Sequence, residues 1–349
     1  MNFGCTLIDW YKLNKRDLPW RNTRDPYLIW LSEIILQQTR VAQGVPYYFK
    51  FVNAFTNITS FANATEDEVL KLWQGLGYYS RARNMLKTAK VIKNNCGGIF
   101  PTAYDDLIKL KGIGPYTASA ISSFSVDEKR AVVDGNVYRV IARYMGIDNP
   151  TNSNSGIKVF QILANSMMES HVPSLYNQAI MEFGALVCTP KKPKCSHCML
   201  RPNCWALANN KVELLPVKLK KTASKKRFMY FFVVRNGNKL IIKRRKNDDI
   251  WAGLYDFPSI ESKGLLAIEA IVAHHDFKLW FGNNAIVNKI HKPIKHLLTH
   301  QTIYAQFIEV CGAICLNKQP PEWLHVSVNE LENYAQPKLI FAFLKKYLT

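Results

Sequence analysis

Between residues 25 and 126 the apolar positions recur at helical spacing, in amphipathic segments parted by Pro and Gly and without strand-like alternation. This pattern predicts an all-α N-terminal portion. Helical character resumes at Val137 and again over residues 176–187, where it stops at a group of cysteines. Residues 216–227 turn Lys-rich and weakly apolar, which predicts a linker. After it the period changes. Residues 228–234 and 239–243 are β-rich runs flanking Arg235-Asn236-Gly237-Asn238, a short-range hairpin signal. The expected organisation is a helical domain over 1–215, the basic linker, and a separate α+β domain over 228–349.

Composition narrows the class. At 349 residues and 48% hydrophobic the chain can bury two ordinary cores, so disorder is excluded for most of it. Lys and Arg number 46 against 26 Asp and Glu, a formal charge of +20, which makes a polyanion the first partner to consider. No basic start followed by an apolar signal stretch is present. The longest apolar run, 228–234, is far short of the roughly 20 residues needed to span a bilayer, so the expectation is a cytoplasmic protein with no membrane partner. In a reducing compartment its eight cysteines do not read as disulfides.

Four of those cysteines form Cys188-x6-Cys195-x2-Cys198-x5-Cys204, a loop-rich segment that can wrap one metal centre. Four-sulfur sites take zinc or iron–sulfur clusters. Zinc ribbons carry two Cys-x2-Cys pairs, and here only Cys195 and Cys198 form one, so the unequal gaps favour a cluster, with zinc as the alternative. A second signal is residues 107–118, where Gly112-Ile113-Gly114 separates two helices and Pro115 opens the second. This pattern, helix-hairpin-helix, leaves backbone N–H groups to hold a phosphate. Asp134, in Val133-Asp134-Gly135-Asn136-Val137, reads by itself as an N-cap. Glu33 sits among Trp30, Leu31, Ile34 and Ile35 on a helix expected to start at Asp25-Pro26, with Gln37 on the same face. A carboxyl in such surroundings has a raised pKa and can act as an acid near neutral pH, although a surface glutamate is the default.

These residues, with Leu18-Pro19-Trp20-Arg21 and residues 75–83, resemble the adenine DNA glycosylases of the MutY type, over 1 to about 215. The resemblance implies an all-α helix-hairpin-helix catalytic domain with a [4Fe-4S] cluster on Cys188, Cys195, Cys198 and Cys204. It implies action as a monomer on double-stranded DNA, removing adenine mispaired with 8-oxoguanine or guanine. It assigns Glu33 as the acid that protonates adenine N7 and Asp134 as the carboxylate facing an oxocarbenium-like sugar. Tyr116 and Asn136 support that chemistry. Gln178 contacts the flipped adenine, Trp20 and Arg21 are further substrate-binding residues, Gln38 and Tyr78 enter the stack beside the opposing guanine, and Gly112 and Gly114 hold the DNA backbone.

The related endonuclease III enzymes remove oxidised pyrimidines and carry a lysine nucleophile where this chain has Tyr116, so a monofunctional enzyme is expected. The other rival is a DNA-binding module in which Glu33 lies on the surface and Asp134 only caps a helix. Lys243-Arg244-Arg245 and residues 250–258 resemble the C-terminal Nudix-like domain of the same family, which reads 8-oxoguanine. No acidic metal-binding signature follows Pro258, so pyrophosphate hydrolysis is not expected. The loop that touches the oxidised base commonly reads Phe-Ser-His, and here Leu298-Thr299-His300 stands in its place. Thr299 and His300 are thus the expected contacts.

Overall fold

The computed structural model describes residues 2–220, 225–246, 249–283, 285–298, 300–311 and 320–348. It separates into two compact units, one of residues 1–63 and 84–221, the other of 64–83 and 222–349.

The first unit is helical. Asp25 caps the helix Pro26–Leu36 by accepting from the Tyr27 N–H at 2.8 Å, and Pro26 fills the first turn, where a missing N–H is tolerated. Tyr27, Ile29, Trp30, Leu31, Ile34 and Ile35 are all buried, so this helix is apolar nearly all round. It is therefore enclosed, and Glu33 is carried inside with it. Trp30 packs on Phe61 and Phe100, while Phe51, Phe55 and Phe61 stack beyond. The helix stops at Leu36 because Gln38 turns into the left-handed region, φ 56°, which makes Gln37 its C-cap and not a helical partner of Glu33. A second core gathers Leu7, Tyr11, Val140, Ile141, Phe160, Ile180 and Phe183 from the helices Phe3–Asn14, Gly135–Met145, Asn154–Met168 and Pro173–Leu186.

The helix-hairpin-helix is present. After the short helix Tyr104–Leu107 the chain turns through Gly112 at φ 83°, and a Cβ there would lie 2.8 Å from Asn84 Cβ, so both the dihedral and the space require glycine. Gly114 then caps the helix Pro115–Val126.

The second unit holds an eight-stranded sheet among its described residues: β1 (Lys225–Asn236), β2 (Lys239–Arg244), β3 (Tyr255–Asp256), β4 (Ser259–Ser262), β5 (Ile286–Ile290), β6 (Ile294–Leu297), β7 (Gln301–Cys311) and β8 (Trp323–Ser327). The path β3-β2-β1-β7-β5 is joined by β4 on β1, β6 on β7 and β8 on β2. Residues 225–227, expected in the linker, open β1. The hairpin closes as expected, pairing Asn236 with Lys239 around Gly237 at φ 58°. Residues 228–234 are continuously apolar because both faces are covered. Met229, Phe231 and Val233 pack with Phe257, Phe307 and Phe343, and Tyr230, Phe232 and Val234 with Phe277, Phe281 and Trp323.

The segment Ala64–Arg83 joins this second unit, which its sequence pattern does not foretell. Its helix Glu66–Trp73 starts in a capping box of Thr65 and Glu68. Arg244 pairs with Glu66 at 3.3 Å and Asp67 at 3.0 Å, and Tyr79 donates to the Gln336 carbonyl at 3.1 Å. Among the described residues no helix is long and apolar enough to cross a membrane.

Candidate active site

The first unit holds a partly open cavity of about 220 Å³. Its lining includes Trp20, Arg21, Glu33, Tyr116, Asp134, Asn136 and Gln178, seven side chains that the sequence marks as site residues. They come from four helices and a 3-10 turn that meet only in the fold.

Glu33 is 7% exposed. Burial raises its pKa to about 7, the negative charge of Asp134 adds to the rise, and a hydrogen bond from Tyr116 and the charge of Arg21 oppose it. The Tyr116 hydroxyl donates to Glu33 Oε2 at 2.9 Å. Tyr116 is itself pushed well above the usual phenol range by burial and by the two nearby carboxylates. It therefore stays a neutral donor throughout the range in which Glu33 titrates.

Asp134 does cap the helix Gly135–Met145. Its Oδ1 accepts from the Asn136 and Val137 N–H groups, each at 2.8 Å, and its Oδ2 from Asn136 Nδ2 at 2.7 Å. Burial raises its pKa while those three donors pull it down. Asn136 is fixed in turn by Arg139, whose Nη2 donates to Asn136 Oδ1 at 2.9 Å. The turn can sit this close to the helix Pro173–Leu186 only because Gly184 faces it, since a Cβ there would come 2.7 Å from Asn136 Cβ.

The far wall includes residues that the sequence reading passed over. Glu182 is 1% exposed and accepts from Arg16 Nε at 2.8 Å, Arg21 Nη1 at 2.9 Å and Arg21 Nη2 at 2.7 Å. Burial would raise its pKa, but the two guanidiniums outweigh that and bring it to about 2. Gln178 lies one helical turn before Glu182 and accepts from the Tyr11 hydroxyl at 2.5 Å. That i, i+4 pairing was the available signal, but the arginines that give it meaning come from the other end of the chain.

Two buried arginines tie the active-site turn to the cysteine loop. Arg139 donates to the carbonyls of Cys188 and Gly184, both at 2.6 Å. Arg143, one turn on, donates to Thr189 O at 2.8 Å and Leu215 O at 3.0 Å, with Nη1 3.5 Å from Cys188 Sγ. Cys188, Cys195, Cys198 and Cys204 are half-buried free thiols. Burial first, and then the other thiols, push Cys198 up to about 11. Among the described residues no three His, Cys, Asp or Glu side chains gather tightly enough to hold a metal ion.

Of the remaining predicted positions, Gln38 is exposed and outside the cavity lining, and Gly112 and Gly114 form the hairpin. Tyr78 and His300 fall in the second unit, where both line another cavity. Thr299 lies outside the described residues.

Comparison with known proteins matches residues 31–162 to the model of the HhH-GPD superfamily of base excision DNA repair proteins and residues 229–346 to a NUDIX domain. An adenine DNA glycosylase of Buchnera aphidicola subsp. Baizongia pistaciae is 37% identical over 311 residues, covering 86% of this chain and 84% of that protein. The Homo sapiens adenine DNA glycosylase is 39% identical over 213 residues, covering 58% of this chain and 39% of that protein. Among solved structures, a thermostable thymine-DNA glycosylase aligns with a TM-score of 0.55 at 31% identity, covering 59% of this chain and 95% of its own.

Proposed function

The chain belongs to the adenine DNA glycosylases, base excision repair enzymes of the helix-hairpin-helix superfamily, and from that premise we propose that it hydrolyses the N-glycosidic bond of adenine opposite 8-oxoguanine or guanine by acid-assisted departure of the base. The observation that carries the mechanism is the buried Glu33, raised to about 7, bonded to Tyr116 and sharing one cavity with Asp134. Two carboxyl groups in opposed environments divide the labour of glycoside cleavage. Glu33 gives its proton to adenine N7. The C1′–N9 bond breaks with its electron pair going to the base, which leaves neutral. Asp134 in its anionic form, which three donors favour against the effect of burial, faces the positive charge that develops on the sugar, and water then adds at C1′, giving up its proton to the Glu33 carboxylate. Tyr116 and Asn136 hold the two carboxyl groups in place. Gln178, Trp20 and Arg21 bound the space for the flipped adenine, and Arg21 also holds Glu182 charged.

With 225–227 in β1, the linker is proposed to end before Lys225, and residues 225–349 are proposed as the domain that reads the opposing base, using His300 and Thr299. The enzyme would work as a monomer on cytoplasmic, nucleoid-associated duplex DNA. A single-turnover assay tests this reading. Adenine should be released from both 8-oxoguanine:adenine and guanine:adenine duplexes, faster from the first. Borohydride should trap no covalent adduct, because the phenol of Tyr116 cannot form a Schiff base. An adduct, with release of oxidised pyrimidines, would put the chain with endonuclease III-like enzymes.

The four cysteines fit a [4Fe-4S] cluster in donor chemistry, and the buried cations of Arg139 and Arg143 beside them suit a site of thiolate charge. Such a group would supply a rigid, structural closure of the loop. Through Arg139 that closure bears on Asn136 and the Asp134 turn. Iron and sulfide should therefore be recovered with the protein, and Cys198→Ser should lower yield and DNA binding more than the single-turnover rate of the folded fraction. Stoichiometric zinc without iron after anaerobic purification would overturn the assignment.

A further inference from the structure

The second unit contains its own cavity of about 310 Å³, lined among others by Tyr78, Arg83, Asp249, Trp251, Leu298 and His300. Two large aromatic residues on its wall share an uncommon backbone state, Tyr78 at φ 48° and Trp251 at φ 60°. For bulky side chains this left-handed region is strained, and it persists where the surroundings over-determine it, commonly at ligand clamps.

The segment around Trp251 is over-determined in that way. The Arg245 backbone N–H donates to Leu254 O at 2.8 Å, and its carbonyl accepts from Gly253 at 3.1 Å. Its guanidinium donates to Ile250 O at 3.1 Å, Asp249 at 2.8 Å and Asp256 at 2.7 Å. Arg227 forks onto the same Asp249 at 2.7 and 2.6 Å, Arg244 reaches Gly253 O at 3.3 Å, and Arg83 donates to Ala252 O. The Arg245 cation also stands 5.8 Å from the centre of the Trp251 ring, and the His296 ring lies 6.0 Å from it. Ala252, Leu254 and Phe257 on the same segment are fully buried, whereas Trp251 is only partly so and Tyr78 is 45% exposed. Four arginines thus fix a turn whose largest side chain packs only in part against the core of the unit and also lines the cavity wall.

We propose that Trp251 and Tyr78 form a preset aromatic wall for the purine opposite the target adenine, with Trp251 the part contributed by the 249–254 turn. A planar base suits flat aromatic walls, and Ser80, His300 and Gln301 supply polar groups at the rim. Because the ring is placed before DNA arrives, little ordering is left to be done on binding. The inference rests on reading the second unit as the one that meets the opposing base.

The test measures binding of the full-length protein to duplexes holding an uncleavable adenine analogue opposite either 8-oxoguanine or a tetrahydrofuran abasic site. Trp251→Gly accepts the left-handed backbone without strain and removes the ring. It should weaken binding to the 8-oxoguanine duplex about ten-fold, the order of one stacked base, and leave the abasic duplex within about two-fold. Trp251→Phe should restore most of the loss. Equal weakening on both duplexes, or none on either, would overturn the proposal. A base-dependent loss in Trp251→Gly alongside a wild-type protein that binds the matching guanine duplex as tightly as the 8-oxoguanine one would instead overturn the reading of the unit as an oxidised-base sensor and leave the aromatic wall standing.

Discussion

Glu33→Gln is expected to lower single-turnover adenine release by a factor on the order of 10³ while leaving duplex affinity nearly unchanged. The amide keeps the shape of the carboxyl and can still accept the Tyr116 hydrogen bond, but it has no proton of the right acidity to give, and general acid catalysis is worth about 10²–10⁴. The same residue sets a pH profile. With a pKa of about 7, Glu33 is protonated and competent below neutrality, so the wild-type rate should fall roughly ten-fold per pH unit on the alkaline side. On the acid side the rate should fall as Asp134 takes up a proton, at a pH above the ordinary aspartate range because burial raises it.

Stability falls with rising pH in the same direction as the rate, whereas the substitution moves the two oppositely. A carboxyl raised from 4.5 to about 7 contributes fully below its unfolded value and loses that contribution as pH rises through 7, a cost of about 3 kcal/mol well above it. Glu33→Gln has no charge to bury and should therefore melt higher than wild type at pH 8. Appreciable turnover in the variant, or an alkaline limb that survives the substitution, would remove Glu33 from the acid role.

How far these features could be read in advance differs by residue. The Glu33 environment was legible because the apolar neighbours that desolvate it are adjacent in sequence, and the helix is buried on every side. The hairpin glycines and the Asp134 cap were legible for the same reason, being local backbone chemistry. Glu182 was not. In sequence it is one acid on a mixed helix, and its meaning comes from Arg16 and Arg21, more than 160 positions away. The membership of Ala64–Arg83 was hidden likewise, since a capping box predicts a helix and says nothing of its partners. The strand at residues 228–234 was plain from β-rich composition, but its ten-residue parallel pairing with β7 is a long-range choice with no local signature. Trp251 reads as one more apolar residue in a family motif until its φ and its place on the cavity wall are known.

Asp134→Asn separates the two roles that one side chain performs. Asparagine caps helices about as well as aspartate, so the Oδ1 bonds from Asn136 and Val137 can be kept. What changes is the other oxygen. Oδ2 accepts from Asn136 Nδ2 at 2.7 Å, and an amide nitrogen placed there would oppose donor to donor. Asn136 can relieve this only by turning its own amide, which then presents a nitrogen to Arg139 Nη2. One hydrogen bond is therefore lost in either arrangement, a destabilisation of about 1 kcal/mol. The catalytic consequence should be far larger. The carboxylate is the only acidic group besides Glu33 and the arginine-neutralised Glu182 among the residues lining the cavity, so nothing else there can offset a cationic sugar. A rate loss on the order of 10³ or more is expected, against a melting shift of a few degrees. Asp134→Ala should be as slow and less stable than Asp134→Asn, having lost the cap as well. If Asp134→Asn instead kept its rate within about ten-fold of wild type, the aspartate would be a helix cap alone, and the charge facing the sugar would have to be sought in Glu182 despite its two arginines.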